Sequence, residues 1–459
     1  MTAPLHVVVL AAGMGKRMRS ALPKVLHPLA GKPLVAHVLD AARTLSPRDL
    51  TVVIGHGADA VREALAAPDV RFVVQDPPRG TGDAVRLALA DAPTDGILLV
   101  AIGDIPLVPA DALAVLVDEA RRDRLAVLTA HVPDPTGLGR VVRDEGGAVR
   151  AIVEERDASD AQRAIREINT GVMAAPAALM RRWVAALTPD NAQGEYYVTD
   201  VIAMACAEKV PVVARLAADE RDVRGINDRA QLAAVERILM HRRAEALMRD
   251  GASIVDPARI DIRGTLTCGR DVRIDVGCVF EGDVALADDV SIGPYCVLRD
   301  VRIGAGTLVE PYSYLVDATV GAACRIGPFA RIRPGGSVLD DEVHIGNFVE
   351  IKASRLGRGS KANHLAYIGD TTVGSGVNYG AGSIVANYDG ANKHRTVIGD
   401  GASIGSNCVL VAPVEVGAGA TIGAGSVIAQ NAPAGALTVA RARQVSIQGW
   451  QRPVKIKKE

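Results

Sequence analysis

Ile292-Gly293-Pro294-Tyr295-Cys296-Val297, Ile303-Gly304-Ala305-Gly306-Thr307-Leu308, Ile326-Gly327-Pro328-Phe329-Ala330-Arg331 and Ile345-Gly346-Asn347-Phe348-Val349-Glu350 repeat one phrase: aliphatic, small or acidic, two free positions, small, one free. The phrase returns at Ile404-Gly405-Ser406-Asn407-Cys408-Val409, Val416-Gly417-Ala418-Gly419-Ala420-Thr421 and Ile422-Gly423-Ala424-Gly425-Ser426-Val427. A six-residue period with glycine beside each aliphatic residue predicts a parallel β-helix. Each hexad supplies one short strand and one corner, with the aliphatic and the later small residue turned inward. A single rung cannot bury its own face, so stability comes from stacking rungs about 4.7–4.9 Å apart.

The composition suits such a prism. Residues are 49% hydrophobic but only 3% aromatic, so the core is built of aliphatic and small side chains, and 46 glycines serve the corners. At 459 residues the chain is long enough for more than one domain. Its 52 basic and 53 acidic residues nearly cancel, which gives no electrostatic case for nucleic acid or a membrane surface. No apolar run reaches the roughly 18 residues of a membrane span. Residues 5–13 lack a basic n-region and lead straight into Lys16-Arg17, so they read as a first strand and not as a signal peptide. Six cysteines form no CxxC pair, and Cys296, Cys324 and Cys408 fall on inward small positions, so a reduced, cytoplasmic protein is expected. The basic end, 453–459, reads as a frayed, solvated tail. The hexad array also resembles the hexapeptide-repeat acyltransferases, which implies a left-handed coil; the general right-handed crossover preference would argue the other way.

The first half alternates short aliphatic runs (6–12, 51–55, 71–75, 96–102) with helical patterns (34–45, 58–66, 83–90). That alternation predicts an α/β doubly wound, Rossmann-like domain, with ligands above the carboxyl ends of its strands. Further strands are expected at 127–132, 140–143, 149–154 and 212–216. A charged helix over 228–249, with Leu232, Val235, Leu239 and Leu247 as its apolar stripe, precedes the array. The expected organisation is a first domain at 1–227, a linker helix at 228–250 and the β-helix with its tail at 251–459. One polar stretch, Asn387-Tyr388-Asp389-Gly390-Ala391-Asn392-Lys393-His394-Arg395, is too long for a corner and reads as a functional loop.

Leu10-Ala11-Ala12-Gly13-Met14-Gly15-Lys16-Arg17 closes the first strand with glycines and cations, a setting for an anion-binding nest, although it is neither GxGxxG nor GxxxxGK[ST]. With Leu22-Pro23-Lys24-Val25-Leu26 nearby it resembles the sugar-1-phosphate nucleotidyltransferases. Gly80-Thr81-Gly82-Asp83-Ala84, Gly103-Asp104-Ile105-Pro106-Leu107, Gly139-Arg140, Glu154, Glu167-Ile168-Asn169-Thr170-Gly171, Glu195-Tyr196-Tyr197-Val198-Thr199-Asp200 and Gly225-Ile226-Asn227 follow in order. With the array, nearly the whole chain resembles the bifunctional N-acetylglucosamine-1-phosphate uridylyltransferase/glucosamine-1-phosphate N-acetyltransferase family.

That resemblance implies a two-step synthesis of UDP-N-acetylglucosamine for peptidoglycan and lipopolysaccharide-type precursors: acetyl transfer from acetyl-CoA, then uridylyl transfer from UTP. It assigns Mg²⁺ to Asp104 and Asn227, hard oxygen donors of the kind Mg²⁺ takes. Arg17 and Lys24 would act catalytically on the triphosphate. Leu10, Ala11, Ala12, Gly13, Gln75, Gly80, Thr81 and Gly103 would bind the nucleotide, and Gly139, Glu154 and Asn169 the N-acetylglucosamine. Ile102 and Asp76-Pro77-Pro78 depart from the family's pattern beside the nucleotide.

In the array, His364 lies in Lys361-Ala362-Asn363-His364-Leu365-Ala366-Tyr367, which matches the family's catalytic segment. An imidazole with a pKa near 6.5 suits deprotonation of an amine at neutral pH. The resemblance makes His364 the general base and Glu350 the group that orients it. Arg333 and Lys352 would hold the phosphate, and Tyr367 and Asn378 the sugar. Asn387 and Tyr388 would serve the thioester, and Ala381, Ser406, Ala424 and Arg441 the acetyl-CoA. A homotrimer, with acetyltransferase sites between neighbouring prisms, is likewise implied. A single-activity nucleotidyltransferase on a β-helical scaffold would need neither His364 nor the 387–395 loop. A non-catalytic solenoid would not need Arg17, Lys24, Asp104 and Asn227 together. A metal-dependent hexapeptide enzyme would need several converging histidines, and the array offers only His344, His364 and His394.

Overall fold

The computed structural model describes residues 3–90 and 95–455. The chain packs into two compact units, Met1–Met240 and His241–Glu459. The last four residues of the basic end lie outside the described residues.

The first unit is built on a nine-stranded sheet whose main order is Val212–Leu216, Leu125–His131, Glu167–Pro176, Ile97–Ile102, Leu5–Ala11, Asp49–Ile54, Val70–Val74. Leu5–Ala11 lies at its heart, parallel to both neighbours. Its run LHVVVLA is continuously apolar because both faces are covered. Val7, Val9 and Ala11 join one core with helices Leu34–Arg43 and Ala110–Ala120, while Val8 and Leu10 join a second with helices Thr81–Leu89 and Ala177–Ala185. Every strand read from the sequence is present within two residues at each end. One long strand was not expected. Glu167–Pro176 runs antiparallel between two neighbours, with a register shift between Asn169 and Met173. Asn169-Thr170-Gly171 breaks the apolar run at that bulge, which is why a strand was not legible there.

The second unit is a parallel β-helix. Ile274, Ile292, Val309, Ile326, Ile345, Ala362, Tyr379, Ile404 and Ile422 stack in register up one face, and none is more than 3% exposed. The glycine beside each aliphatic residue has a steric cause. A Cβ at Gly304 would come within 2.5 Å of the Gly321 backbone, and one at Gly380 within 2.5 Å of Gly405. The small inward positions form a second column, in which Cys296, Ser313, Ala330 and Val349 accept from the next residue of the coil below. All six cysteines are free, and burial pushes the Cys278 thiol up to about 11 and the Cys296 thiol up to about 12, so these sulfurs act as small apolar filler.

Tyr295, Tyr312, Phe329 and Phe348 stack at one corner with ring centroids 5.1–5.3 Å apart, each on a left-handed backbone with φ between 55° and 59°. From Ile274 to Tyr379 the coils advance 17 to 19 residues, 17 from Ser354 to Thr371, but the coil holding the polar loop takes 25, from Ser383 to Cys408.

Helix Arg229–Arg249 was expected as the linker, and the division between the compact units falls inside it. Val235 packs with Leu29, Leu34 and Ile226, with Leu232 and Leu239 against that cluster.

Tyr379 is the one ring in its inward column, above the small Ala362, and its hydroxyl is buried with no protein partner. Replacing Tyr379 by Phe should therefore raise the stability of the β-helix by up to about 1 kcal/mol, because an unsatisfied polar group is removed with little change of shape. Chemical denaturation followed by circular dichroism checks this; a loss of 1 kcal/mol or more would show that the hydroxyl is satisfied.

Candidate active sites

At the carboxyl ends of Leu5–Ala11 and Ile97–Ile102 a cavity of 370 Å³ is lined by Leu10, Ala11, Ala12, Gly13, Lys24, Gln75, Gly80, Thr81 and Asp104, together with Met14, Pro78, Ile102 and Glu195. Nine of the expected nucleotide and phosphate residues thus surround one space, at the switch point of a doubly wound sheet. Gly103 borders it through its N–H, which donates to Leu10 O at 2.9 Å. Gln75 is buried and spent inward: its Nε2 donates to Gly80 O and to Asp83 Oδ2, both at 3.0 Å. Gly80 begins the Thr81–Leu89 helix at φ 107°, where a Cβ would strike Tyr196 O at 2.5 Å. Thr81 Oγ1 accepts from Val198 N at 3.1 Å. The Gly13–Gly15 turn is followed by the exposed Arg17, which points to solvent outside the cavity lining.

Lys24 Nζ donates to Asp104 Oδ2 and, at 3.3 Å, to Asn227 Oδ1. A carboxylate and an amide oxygen from segments far apart in sequence therefore converge on one cation. That donor set fits a hard divalent ion with room left for phosphate oxygens and water.

Gly139, Glu154 and Asn169 form a second group in this unit. Gly139 O accepts from Asn169 N at 2.8 Å, and a Cβ at Gly139 would lie 3.2 Å from both Glu154 carboxylate oxygens. Burial, and then the charges of Asp200 and Asp157, hold the Glu154 carboxyl above its ordinary range, against the opposing hydrogen bond from Thr199. Ile102 faces Gly171, whose Cβ would meet its side chain at 2.9 Å.

In the second unit an open groove of 560 Å³ is lined by His364, Asn363, Asn347, His344, Phe329 and Phe348, among others. Asn347 and His364 are register partners one coil apart, and the His364 Nδ1–H donates to Asn347 Oδ1 at 2.8 Å. In the tautomer with the proton on Nδ1, Nε2 carries the lone pair. Within one chain Glu350, expected to orient the imidazole, has partners other than His364. Its carboxylate is held by Arg333 Nη1 at 3.0 Å and Arg331 Nη1 at 3.2 Å, because register places Glu350 beside Arg331 and Tyr367 and not beside His364.

Three of the four expected sugar and phosphate residues, Arg333, Lys352 and Tyr367, gather on the adjoining face, beyond the corner at Leu365. Arg333 and Lys352 are register partners. Lys352 Nζ lies 3.8 Å from Asp370, which accepts from Asn387 Nδ2 at 2.5 Å, and Asn387 Nδ2 reaches the Tyr367 hydroxyl at 3.5 Å. Lys393 went unassigned in the sequence reading, yet it belongs to this group. Its pKa is pushed down by the neighbouring Lys352 side chain. Asn378 stands on the His364 face, in register with Lys361. The polar loop is a closed hairpin: Asp389 accepts from Ala391 N, Asn392 N and His394 Nε2, which holds its carboxyl well below the usual range. Tyr388 projects from it, 60% exposed.

Ala381, Ser406 and Ala424 climb one corner, linked by Asn407 N to Ala381 O, Gly425 N to Ser406 O (both 2.8 Å), and Arg441 Nη1 to Ala424 O at 2.7 Å. The same corner ladder reaches His364, whose main-chain O accepts from Gly382 N at 3.3 Å; among the described residues of one chain, no side-chain hydrogen bond or ion pair joins the Lys352 group to the imidazole.

Residues 7–250 match the family described as the MobA-like NTP transferase domain. Residues 395–430 match bacterial transferase hexapeptide (six repeats), and residues 262–356 match the GMPPB C-terminal domain. The bifunctional protein GlmU of Ralstonia pickettii (strain 12J) is 57% identical over 455 residues, covering 99% of this chain and 100% of the relative. Those of Cupriavidus pinatubonensis (strain JMP 134 / LMG 1197) and Herminiimonas arsenicoxydans are 56% and 54% identical over the same shares. A doubly wound nucleotidyltransferase unit followed by a left-handed hexapeptide β-helix, matched end to end, places this chain in the GlmU family of bifunctional proteins.

Proposed function

We infer that this chain makes UDP-N-acetylglucosamine in two steps, acetylating glucosamine 1-phosphate from acetyl-CoA in the β-helix and uridylylating the product from UTP in the first unit. The observation that carries this reading is that one chain holds both a cation focus beside a glycine-turn cavity and an outward imidazole whose other nitrogen is already engaged.

In acetyl transfer, His364 Nε2 takes a proton from the 2-ammonium group, the freed amine attacks the thioester carbonyl, and as the carbon–sulfur bond breaks the nitrogen's surplus proton passes to the departing sulfur, which leaves as the free thiol. Asn347 fixes the tautomer that makes this possible. Arg333, Lys352 and Lys393 neutralise the sugar phosphate, Tyr367 and Asn378 hold the sugar, and Asn387 and Tyr388 serve the thioester. The Ala381–Ser406–Ala424 column, with Arg441, takes the coenzyme. Because these groups lie on different faces of one prism, a homotrimer completes the site between neighbouring copies. In uridylyl transfer a sugar phosphate oxygen attacks the α-phosphorus and pyrophosphate leaves, so the protein's work is positioning and charge neutralisation. Asp104 and Asn227 would hold Mg²⁺, which supplies positive charge to the triphosphate when bound. Leu10 to Gly13, Gln75, Gly80, Thr81 and Gly103 receive the nucleotide, Arg17 and Lys24 meet its phosphates, and Gly139, Glu154 and Asn169 receive the sugar. Among the described residues no helix is long and apolar enough to cross a membrane, and with near-neutral charge and free cysteines the protein works in the cytoplasm without nucleic acid.

Changing His364 to Ala should lower acetyl transfer by about 10²–10⁴-fold and leave uridylyl transfer intact, and Asp104→Ala should do the reverse; parallel thiol- and pyrophosphate-release assays decide, and equal loss of both activities in either variant sinks the two-site reading. Asn347→Ala should reduce kcat of acetyl transfer about tenfold and displace its pH profile, whereas Glu350→Gln should mainly raise KM for glucosamine 1-phosphate by loosening Arg333. Identical effects of the two would remove the assignment of Asn347 as the orienting group. The raised Glu154 pKa means that its charge is lost at a higher pH than an ordinary carboxylate near 4.3. KM for N-acetylglucosamine 1-phosphate should therefore climb as pH falls through that titration, and Glu154→Gln should abolish the climb. An acid limb unchanged in the variant argues against Glu154 as a sugar ligand.

A further inference from the structure

Lys24 is expected to meet the triphosphate, yet its ammonium is engaged elsewhere. Asp104 Oδ2 and Asn227 Oδ1, the two oxygens assigned to the metal, are its acceptors. The Lys24 and Asp104 side chains are only 11% and 16% exposed, so the contact is shielded from water and strongly held. The two oxygens do not depend on Lys24 to come together. Ile226 N donates to Asp104 O at 3.0 Å, and Asn227 N donates to Gln231 Oε1 at 2.7 Å. These contacts hold the two segments side by side, and a cation of this chain fills the point where their side-chain oxygens meet.

The other end of Lys24 is fixed on the nucleotide side. Gly15, at φ 58°, sits so close that a Cβ there would come within 2.6 Å of Lys24 Cβ. The turn expected to cradle the phosphates therefore rests on the root of this side chain. Between that Cβ and the ammonium lie three methylene groups on rotatable bonds, so the head can leave Asp104 while the root stays in place.

We propose that Lys24 is a resident stand-in for the metal, its ammonium holding the Asp104–Asn227 focus until nucleotide arrives and then swinging onto the triphosphate as those two oxygens take up the divalent ion. This rests on the assignment of Asp104 and Asn227 as metal ligands. A bare divalent ion has to displace a bonded ammonium that then has no counter-charge. A metal–triphosphate brings both the replacement cation and the anion that receives the displaced one. Metal and nucleotide are thereby coupled positively, and the site discriminates against metal alone. Lys24 is more than a fixed phosphate ligand: its departure is what opens the metal site.

The test is Mn²⁺ binding to the full chain without nucleotide, read from the free-ion electron paramagnetic resonance signal. Wild type should bind weakly. Lys24→Met and Lys24→Gln should each bind roughly tenfold more tightly, and the double variant Lys24→Met/Asp104→Ala should lose that gain, with circular dichroism melting confirming that all are folded. No gain in either folded single variant overturns the stand-in role. A gain that survives loss of Asp104 overturns the metal assignment beneath it. If no gain is seen, Asp104→Ala measured with UTP present tells the two apart, because loss of Mn²⁺ uptake there leaves the metal site standing and removes only the role given to Lys24.

Discussion

Close approach of backbone to backbone between successive coils is the constraint on which the second unit depends. At Gly304 and Gly380 there is no space for even one carbon beyond Cα, because the next coil's main chain lies there. That contact fixes the stacking distance, and stacking fixes register. Register in turn decides the chemistry: Asn347 stands beside His364, Arg333 beside Lys352, and Glu350 beside Tyr367 solely because each lies one coil from the other. No side chain has to search for its partner in such a scaffold. Packing energy from the inward Ile and Val column and site geometry come from the same repeat.

The first unit solves positioning differently. Its strands are buried on both faces, and the cavity gathers the last residues of the strands together with the turns that leave their carboxyl ends. Each turn is pinned by main-chain contacts such as Gly103 N to Leu10 O and Gly82 N to Tyr196 O, the latter at 2.7 Å. Charge is handled locally too. Glu154 pays a desolvation cost that raises its pKa, while Asp104 keeps a cation at hand.

What the sequence makes legible follows from how local each signal is. The hexads and the parallel strands are written in short windows, so both architectures can be read directly. Glu167–Pro176 is hidden because its bulge puts Asn169-Thr170-Gly171 where a strand pattern should continue. Asn347 occupies a free position of its hexad and carries no mark of its own; counting back one 17-residue coil from His364 would have found it. Glu350 is likewise silent about its partners within the chain, which register makes Arg331 and Tyr367. Lys393 is plain only once the loop folds back toward Lys352. The Lys24–Asp104 contact spans 80 residues and has no sequence signature at all.

The coil that takes 25 residues leaves its neighbours undisturbed: Tyr379 still stacks on Ala362 below and Ile404 above, as if nothing had been inserted. Chain length and helical pitch are therefore independent at a corner. Lengthening a closed loop costs free energy only logarithmically, about 0.6 kcal/mol for each doubling. A prism of this kind can lengthen, shorten or replace its catalytic hairpin without renegotiating the core, which makes the corner a natural place for reactivity to diversify while the architecture stays the same.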